Sequence, residues 1–190
     1  MDFDRNRLAV AIATSAALLY GTQVFACGTE RWSVKIGTDQ DARSVHHGPP
    51  ITTTIKYLTS LKAPKPIPKS RRVAPTELTI YKLNATLVGY KVESDRDYHL
   101  VLKDDQGRTM IAEIPSPDCV QRRGPFAAAV TIARHKFDSQ LSVSTQFQQV
   151  DIPVQVIGVG FFDFIHGQTG VAPNGIELHP VLDITFNPLK

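Results

Sequence analysis

The sequence predicts a mainly β domain with a single helix, built from residue 77 to the C-terminus. Several short runs of apolar residues alternate with polar ones, and this pattern is typical of half-buried strands. One further run has its apolar residues at a helical spacing instead. The chain has 190 residues, of which 42% are hydrophobic. That is enough for one domain with its own core.

The first three strands follow one another through short polar turns. Around Gly89 the apolar face of the first strand changes parity, which predicts a bulge. The segment DDQG after the second strand is typical of a hairpin turn, and Pro115 ends the third strand. The expected ranges are 78–92, 98–103 and 109–114.

A helix and two more strands complete the domain. The segment GPFAAAVTIARHKF has Pro125 at a favoured first-turn position, and its apolar residues share one helical face. These residues are Phe126, Ala129, Val130, Ala133 and Phe137. The fourth and fifth strands are expected over 152–164 and 176–186.

This order of elements is that of an OB-fold, a five-stranded Greek-key barrel with one helix between strands 3 and 4. Such domains bind ligands on the second and third strands, between the loops that follow strands one and four. A small open sandwich is the alternative, because strand order alone does not prove that the barrel closes. An irregular N-terminal extension over residues 27–76 precedes the OB-like domain, residues 77–190.

The N-terminus has the features of a secretory signal peptide over residues 1–26. Arg5 and Arg7 precede an apolar run from Leu8 to Leu19, and Ala26 is a suitable residue before a cleavage site. The sequence therefore predicts a secreted or periplasmic protein. A retained membrane anchor is the alternative, but polar residues interrupt the apolar run before it reaches the roughly 20 residues that a spanning helix needs.

The two cysteines, Cys27 and Cys119, are expected to form a disulfide, because an even cysteine count in an exported chain favours pairing. The bond would tie the start of the mature chain to the domain. The alternative is lipidation of Cys27, since VFAC resembles the lipobox of bacterial lipoproteins. Lipidation would leave Cys119 unpaired.

The extension ends in a stiff and basic segment, LKAPKPIPKSRRVAP. Its prolines favour extended polyproline geometry. Its charge permits two interpretations, a contact with an anionic partner or a solvated tether. The basic residues are Lys62, Lys65, Lys69, Arg71 and Arg72. Upstream, TTTIKYLTSL is expected to form a short helix or strand that covers the barrel.

Two segments carry a family resemblance: YKVESDRDYHLVLKDDQGRTMIAEIPSPDC and GVGFFDFIHGQTGVAPNGIELHPVL. Together they resemble an uncharacterised family of exported bacterial proteins with an OB-fold-like domain. The resemblance covers nearly all of the chain from ERW to the last strand. It implies export and fold, and no activity.

One candidate site lies around the loop HGQTGVAPNG. If this loop returns as a hairpin, two histidines and nearby carboxylates converge, and they have the chemistry of a metal-assisted hydrolase. The spacing matches no named metal motif, so no metal and no cofactor is assigned. In the alternative interpretation Asp163 and His166 bond the loop backbone while the strand acids are solvated. The candidate catalytic residues are His166, His179, Asp163 and Glu177, with Asp183 nearby.

A second candidate site is a ligand-binding face of cations and an aromatic residue. Cations follow phosphates and aromatic rings stack on bases, so a single strand of nucleic acid is one candidate ligand. Interleaved acids and a formal net charge of only +3 weaken that prediction. The residues are Tyr90, Lys91, Arg96, His99, Lys103 and Arg108.

The sequence thus favours an exported, non-catalytic binding or interaction module. Its candidate ligands are nucleic acid, oligosaccharide, peptide or another envelope protein. The first alternative is a nuclease-like, metal-assisted hydrolase that uses the His166 and His179 region. The second is a purely structural envelope protein.

Overall fold

The structure is a computed structural model that describes residues 27–45 and 48–189. The expected signal peptide, residues 1–26, lies outside the described residues. Among the residues that are described, no helix has the length and apolar content that crossing a membrane requires.

The protein is mainly β, as predicted, and from residue 77 onward three strands, one helix and two strands follow in the expected order. The prediction of an irregular extension is wrong, because residues 27–76 contribute two helices and a sixth strand. The strands are β1 (Ile51–Thr53), β2 (Ile80–Val92), β3 (Tyr98–Lys103), β4 (Thr109–Ile114), β5 (Gln148–Phe162) and β6 (Ile176–Phe186). The helices are α1 (Trp32–Ile36), α2 (Ile55–Ser60) and α3 (Ala127–Asp138). The segment TTTIKYLTSL forms both a strand, β1, and a helix, α2.

The six strands form one mixed sheet in the order β1-β2-β3-β4-β6-β5, and β2 also pairs with β5. β1 and β2 are parallel, as are β4 and β6, while the other pairs are antiparallel. The register of β2 shifts between Leu87 and Gly89, which confirms the bulge predicted there.

One face of the sheet forms the main core together with residues of α2 and α3. Ala133 and Phe137 of α3 belong to this core and, like Val130, are completely buried, as the helical spacing predicts. The ring of Phe137 packs against Tyr90 and Tyr98 at centroid distances of 5.3 and 5.4 Å. Full burial of each large apolar side chain contributes about 1.5–3 kcal/mol, so this contact is a large part of what attaches the helix to the sheet.

The N-terminal extension packs on both faces of the sheet. Ile55 and Leu58 of α2 belong to the main core. A second, smaller cluster forms on the opposite face, where α1 and its continuation pack against α3 and β5. Its buried members are Ile36, Val45, Val120, Phe126, Val130 and Val159.

The predicted disulfide is confirmed: Cys27 and Cys119, which are 92 positions apart in sequence, are bonded, with their Cα atoms 5.8 Å apart. The bond fixes the start of the described chain beside the segment that follows β4. It also occupies the Cys27 sulfur that a lipid would need.

The basic segment was predicted to be either a contact for an anionic partner or a solvated tether, and only part of it is solvated. Lys62, Lys65 and Lys69 are exposed. Arg72 is instead buried, and its Nη2 donates to Asp39 Oδ2 at 2.9 Å. Arg71 pairs with Asp41 at 2.6 Å. For Arg72 the prediction of a solvated tether is wrong, because Asp39 of the extension lies within reach, whereas the side chain of Arg71 stays 58% exposed.

Candidate functional site: a buried charged cluster beside an acidic pocket

Four ionisable side chains lie side by side on the face of the sheet opposite the main core. The residues next to them in β3, β4 and β6 are apolar and point into the main core. Successive side chains of a strand point to opposite faces, so these four point away from the main core. His99 of β3 lies directly opposite Glu113 of β4. The residue before Glu113 is paired with the residue before His179 of β6, so Glu113 and His179 are neighbours as well. With Glu177, they are buried under α1 and the loop between β5 and β6. We call this set, with Lys35, Asp97 and Asp163, the charged cluster.

Glu113 is the centre of the charged cluster. Its Oε1 lies 3.3 Å from His99 Nδ1, and its Oε2 lies 2.9 Å from His179 Nδ1 and 3.7 Å from Lys35 Nζ. Lys35 comes from α1, and its Nζ also contacts Asp163 Oδ2 at 3.1 Å. On the far side, His99 Nε2 donates to the backbone oxygen of Thr169 at 2.9 Å.

These contacts favour charged forms of His99, Glu113 and Lys35. Burial lowers the pKa of His99, but its bond to Glu113 and the Thr169 carbonyl more than offset this, so the pKa is raised. Burial raises the pKa of Glu113, yet His179, His99 and Lys35 hold it well below the usual range. Burial also opposes the charge of Lys35, but Glu113 and Asp163 raise its pKa above the usual value.

Burial favours the neutral forms of Asp97, Glu177 and His179. Burial raises the pKa of Asp97 well above its usual value, helped by repulsion from Asp95 and Glu113. Burial and the charges of Glu113 and Asp163 do the same for Glu177. Burial lowers the pKa of His179. Burial in this position therefore works against the charged form of all three groups.

A pocket of about 510 Å³ opens beside the charged cluster, and we call it the acidic pocket. The N-terminal segment forms one wall, the loop between β2 and β3 a second, and the loop between β5 and β6 a third. Five acids line it against the two cations Lys35 and His99, together with Trp32, Gln168 and His166. The acids are Glu30, Glu93, Asp95, Glu113 and Asp163.

The structure brings together three of the four candidate catalytic residues. Asp163, Glu177 and His179 belong to the charged cluster, where the prediction that strand acids are solvated is wrong: Glu177 is 1% exposed. The reason is that α1 covers this face. His166 lies apart at the rim of the acidic pocket, with its Nε2 2.9 Å from Gln168 Nε2 and 4.0 Å from Glu30. Asp183 lies near the surface and pairs with Lys136 at 2.6 Å.

The six candidate ligand-binding residues do not form one patch. Tyr90 is buried in the main core, where its hydroxyl donates to the Ser142 carbonyl, and so it presents no face for stacking. His99 lies in the charged cluster, and Lys103 is half-buried at the end of β3. Each remaining cation has an acidic partner: Lys91 has Glu93, Arg96 has Asp118 and Arg108 has Asp104.

Sequence reasoning missed Trp32, Lys35, Asp97 and Glu113. Glu113 occupies the polar position of an alternating strand, where a charged residue normally indicates a solvated face. Asp97 lies in a polar turn and Lys35 in a five-residue helix. No local pattern distinguishes these residues from surface ones, because the segment that covers them is distant in sequence.

Comparison with known proteins finds weak structural similarity and no family. No family model matches the chain, and no curated protein matches it. Among solved structures, it is similar to a putative aspartyl-tRNA synthetase from Leishmania major Friedlin, with 14% identity and a TM-score of 0.43. That match covers 77% of this chain and 22% of the synthetase chain. An OBody bound to hen egg-white lysozyme matches 75% of this chain and all of its own, with 12% identity and a TM-score of 0.42.

Proposed function

We propose that the protein is an exported, non-catalytic binding module with an OB-type barrel, and that its acidic pocket binds a small cationic ligand. The pairing of β2 with both β3 and β5 supports the barrel, since it links five strands to one another in succession. The confirmed disulfide is compatible with export, because such bonds persist in oxidising compartments. Membership in an exported bacterial family remains part of this proposal.

The position of the acidic pocket supports a binding role. OB domains bind ligands on their second and third strands, flanked by the loops after strands one and four. Here β3 provides His99 and β4 provides Glu113. The loop after β2 provides Glu93 and Asp95, and the loop after β5 provides His166.

The charge of the pocket lining is the observation that carries the proposal. Five acids face two cations, so the lining attracts positive charge and repels phosphate. Two unit charges 4 Å apart interact by about 4 kcal/mol at an effective dielectric constant of 20. Trp32 adds an aromatic face, and a cation over such a ring gains about 0.5–2 kcal/mol. An organic amine or ammonium group therefore fits better than nucleic acid.

The hydrolase alternative has less support from the geometry. His166 is exposed at the pocket rim, whereas His179 is completely buried and contacts Glu113 and Asp97 instead. A general base must reach the proton that it removes. Of the two histidines, only His166 is open to a substrate, and its ring contacts are Gln168 and Glu30.

The fluorescence of Trp32 tests the proposed binding, because Trp32 is the protein's only tryptophan and lines the pocket. We would titrate the protein with spermidine and with tetramethylammonium, and in parallel with glutamate and a single-stranded oligonucleotide. We expect a saturable change with the cations only. A response to the oligonucleotide alone would show that the pocket binds an anion instead of a cation. No response to any probe would contradict the proposed binding and favour the structural envelope protein.

A matched pair of variants makes the test specific. Glu93 and Asp183 have side chains that are 32% and 33% exposed, and each pairs with a lysine, at 3.0 and 2.6 Å. Glu93 also lies 3.5 Å from His99 Nδ1 of the pocket. Glu93 lines the acidic pocket, whereas Asp183 is not among its lining residues. We expect Glu93→Gln to weaken spermidine binding roughly fivefold to tenfold, about 1–1.4 kcal/mol. Asp183→Asn should leave it unchanged.

A further inference from the structure

The charged cluster contains polar atoms that lack hydrogen-bond partners. Across the described part of the chain, six buried side-chain nitrogen or oxygen atoms have none, and four of them belong to this cluster. They are Asp97 Oδ2, Glu177 Oε2 and both ring nitrogens of His179. Buried polar groups are normally satisfied, so an accumulation of unsatisfied atoms at one place indicates a bound ion or ordered water.

The arrangement around His179 has the form of a metal site. Its Nε2 lies 3.6 Å from Asp97 Oδ2. Two ligand atoms that each lie about 2.0–2.2 Å from a zinc ion are separated by roughly 3–4 Å, so this gap accommodates an ion without large movement. Both side chains are 0% exposed. The remaining oxygen of Asp97 accepts from the backbone nitrogen of Ser116 at 3.0 Å, which orients Oδ2.

A metal-bound histidine usually donates its other ring N–H to a carboxylate or a carbonyl, and Glu113 is in position to accept from His179. Its Oε2 lies 2.9 Å from His179 Nδ1, although the pair is not aligned as a hydrogen bond. A small rotation lets Nδ1–H donate to Glu113, which places the free lone pair on Nε2, facing Asp97. One ligand-type atom from each of Asp97, Glu113 and His179 lies within 4.8 Å of the other two.

We propose that Asp97 Oδ2 and His179 Nε2 bind one divalent transition-metal ion of the zinc class, with Glu113 positioning the imidazole. Nitrogen and carboxylate ligands together suit zinc and cobalt. Glu113 also lines the acidic pocket, so the ion reaches the site from there and water completes its coordination. This metal site is separate from the site in the acidic pocket that is proposed to bind an organic cation.

The first test is a titration of the purified, untagged and disulfide-bonded protein with Co²⁺, read by visible absorption, with Zn²⁺ as competitor. We expect one ion per chain and absorption bands typical of nitrogen and oxygen ligands. His179→Gln and Asp97→Asn should each weaken binding at least 100-fold, and Glu113→Gln by 10–100-fold. His135→Gln is the control, since His135 is exposed on α3 and does not line the acidic pocket, and it should leave binding unchanged.

A second measurement does not depend on the variants folding. Anomalous diffraction from wild-type crystals grown with Zn²⁺ should show a peak between Asp97 and His179. The proposal is overturned by the absence of stoichiometric binding, by a peak elsewhere, or by a Co²⁺ affinity that His179→Gln leaves intact in a folded variant. Spermidine binding, followed through Trp32, tests the pocket separately, so either proposal can fail alone.

Discussion

Arg31 and Glu77 form a buried, two-pronged ion pair that holds the N-terminal segment against the sheet. The Nη1–Oε1 and Nη2–Oε2 distances are 2.6 and 2.9 Å, and the two side chains are 1% and 0% exposed. The guanidinium also donates to three backbone oxygens, and Glu77 accepts from the backbone nitrogens of Val73 and Phe162. The pair therefore joins α1, the basic segment and the end of β5, and it places Trp32 and Lys35 over the acidic pocket.

Removing one partner of this pair should be severely destabilising. Glu77→Gln leaves the Arg31 charge buried without its counterion, and such changes cost about 3–5 kcal/mol. We expect that loss in the free energy of unfolding, measured by urea denaturation. The control is Asp41→Asn, which removes the acid partner of Arg71, whose side chain is 58% exposed, and it should have a far smaller effect. Equal losses for the two variants would contradict a buried anchor.

The disulfide should contribute mainly by restricting the unfolded chain. Cys27 and Cys119 close a loop across 92 residues, and for that length the chain-entropy model gives about 4–5 kcal/mol. We expect the double variant Cys27→Ser, Cys119→Ser to lose stability of this order in urea denaturation. Reduction of the wild-type protein with dithiothreitol should have the same effect and should not destabilise the variant further. A double variant as stable as the wild type would show that the bond is dispensable.

One face of α3 should account for most of its contribution to stability. Phe137 is completely buried and touches the rings of Tyr90, Tyr98 and Phe186. We expect Phe137→Ala to cost about 3–5 kcal/mol, measured by chemical denaturation. Ile132→Ala on the same helix is the control, because Ile132 is 53% exposed and should change stability by less than about 0.5 kcal/mol. The reverse ranking would mean that the helix packs through another face.

The bounds of a strand could be predicted where apolar and polar residues alternate along its whole length. β3 and β4 have the predicted bounds, 98–103 and 109–114. β5 begins at Gln148 rather than at residue 152, because Gln148 and Gln149 are polar residues that pair with Tyr90 and Gly89 at the end of β2. It ends at Phe162 rather than at residue 164. Such a strand end depends on backbone hydrogen bonds to a distant segment, and it leaves no hydrophobic signal in the sequence.

For the charged cluster, the sequence predicts on which face of the sheet the strand residues lie, but it does not predict that they are buried. The parity of β6 correctly directs Glu177 and His179 away from the main core. Their burial depends on α1, which is held in place by Arg31 and Glu77, residues 46 positions apart in sequence. A contact at that distance has no local periodicity, so the sequence offered no reason to expect Lys35 beside these residues.

Close packing of Gly28 on Trp32 should control the shape of the acidic pocket. A Cβ atom at Gly28 would lie 2.6 Å from an indole carbon and 3.0 Å from Asp95 Oδ2, so Gly28→Ala must displace the ring. We expect a shift of the Trp32 emission maximum and weaker spermidine binding. Gly107→Ala is the control: it adds backbone strain at φ +79° but meets no atom within 4 Å, and it should leave the emission unchanged. An unaltered spectrum in Gly28→Ala would indicate that the N-terminal segment moves away from the sheet to accommodate the methyl group, and that Trp32 does not define the pocket wall.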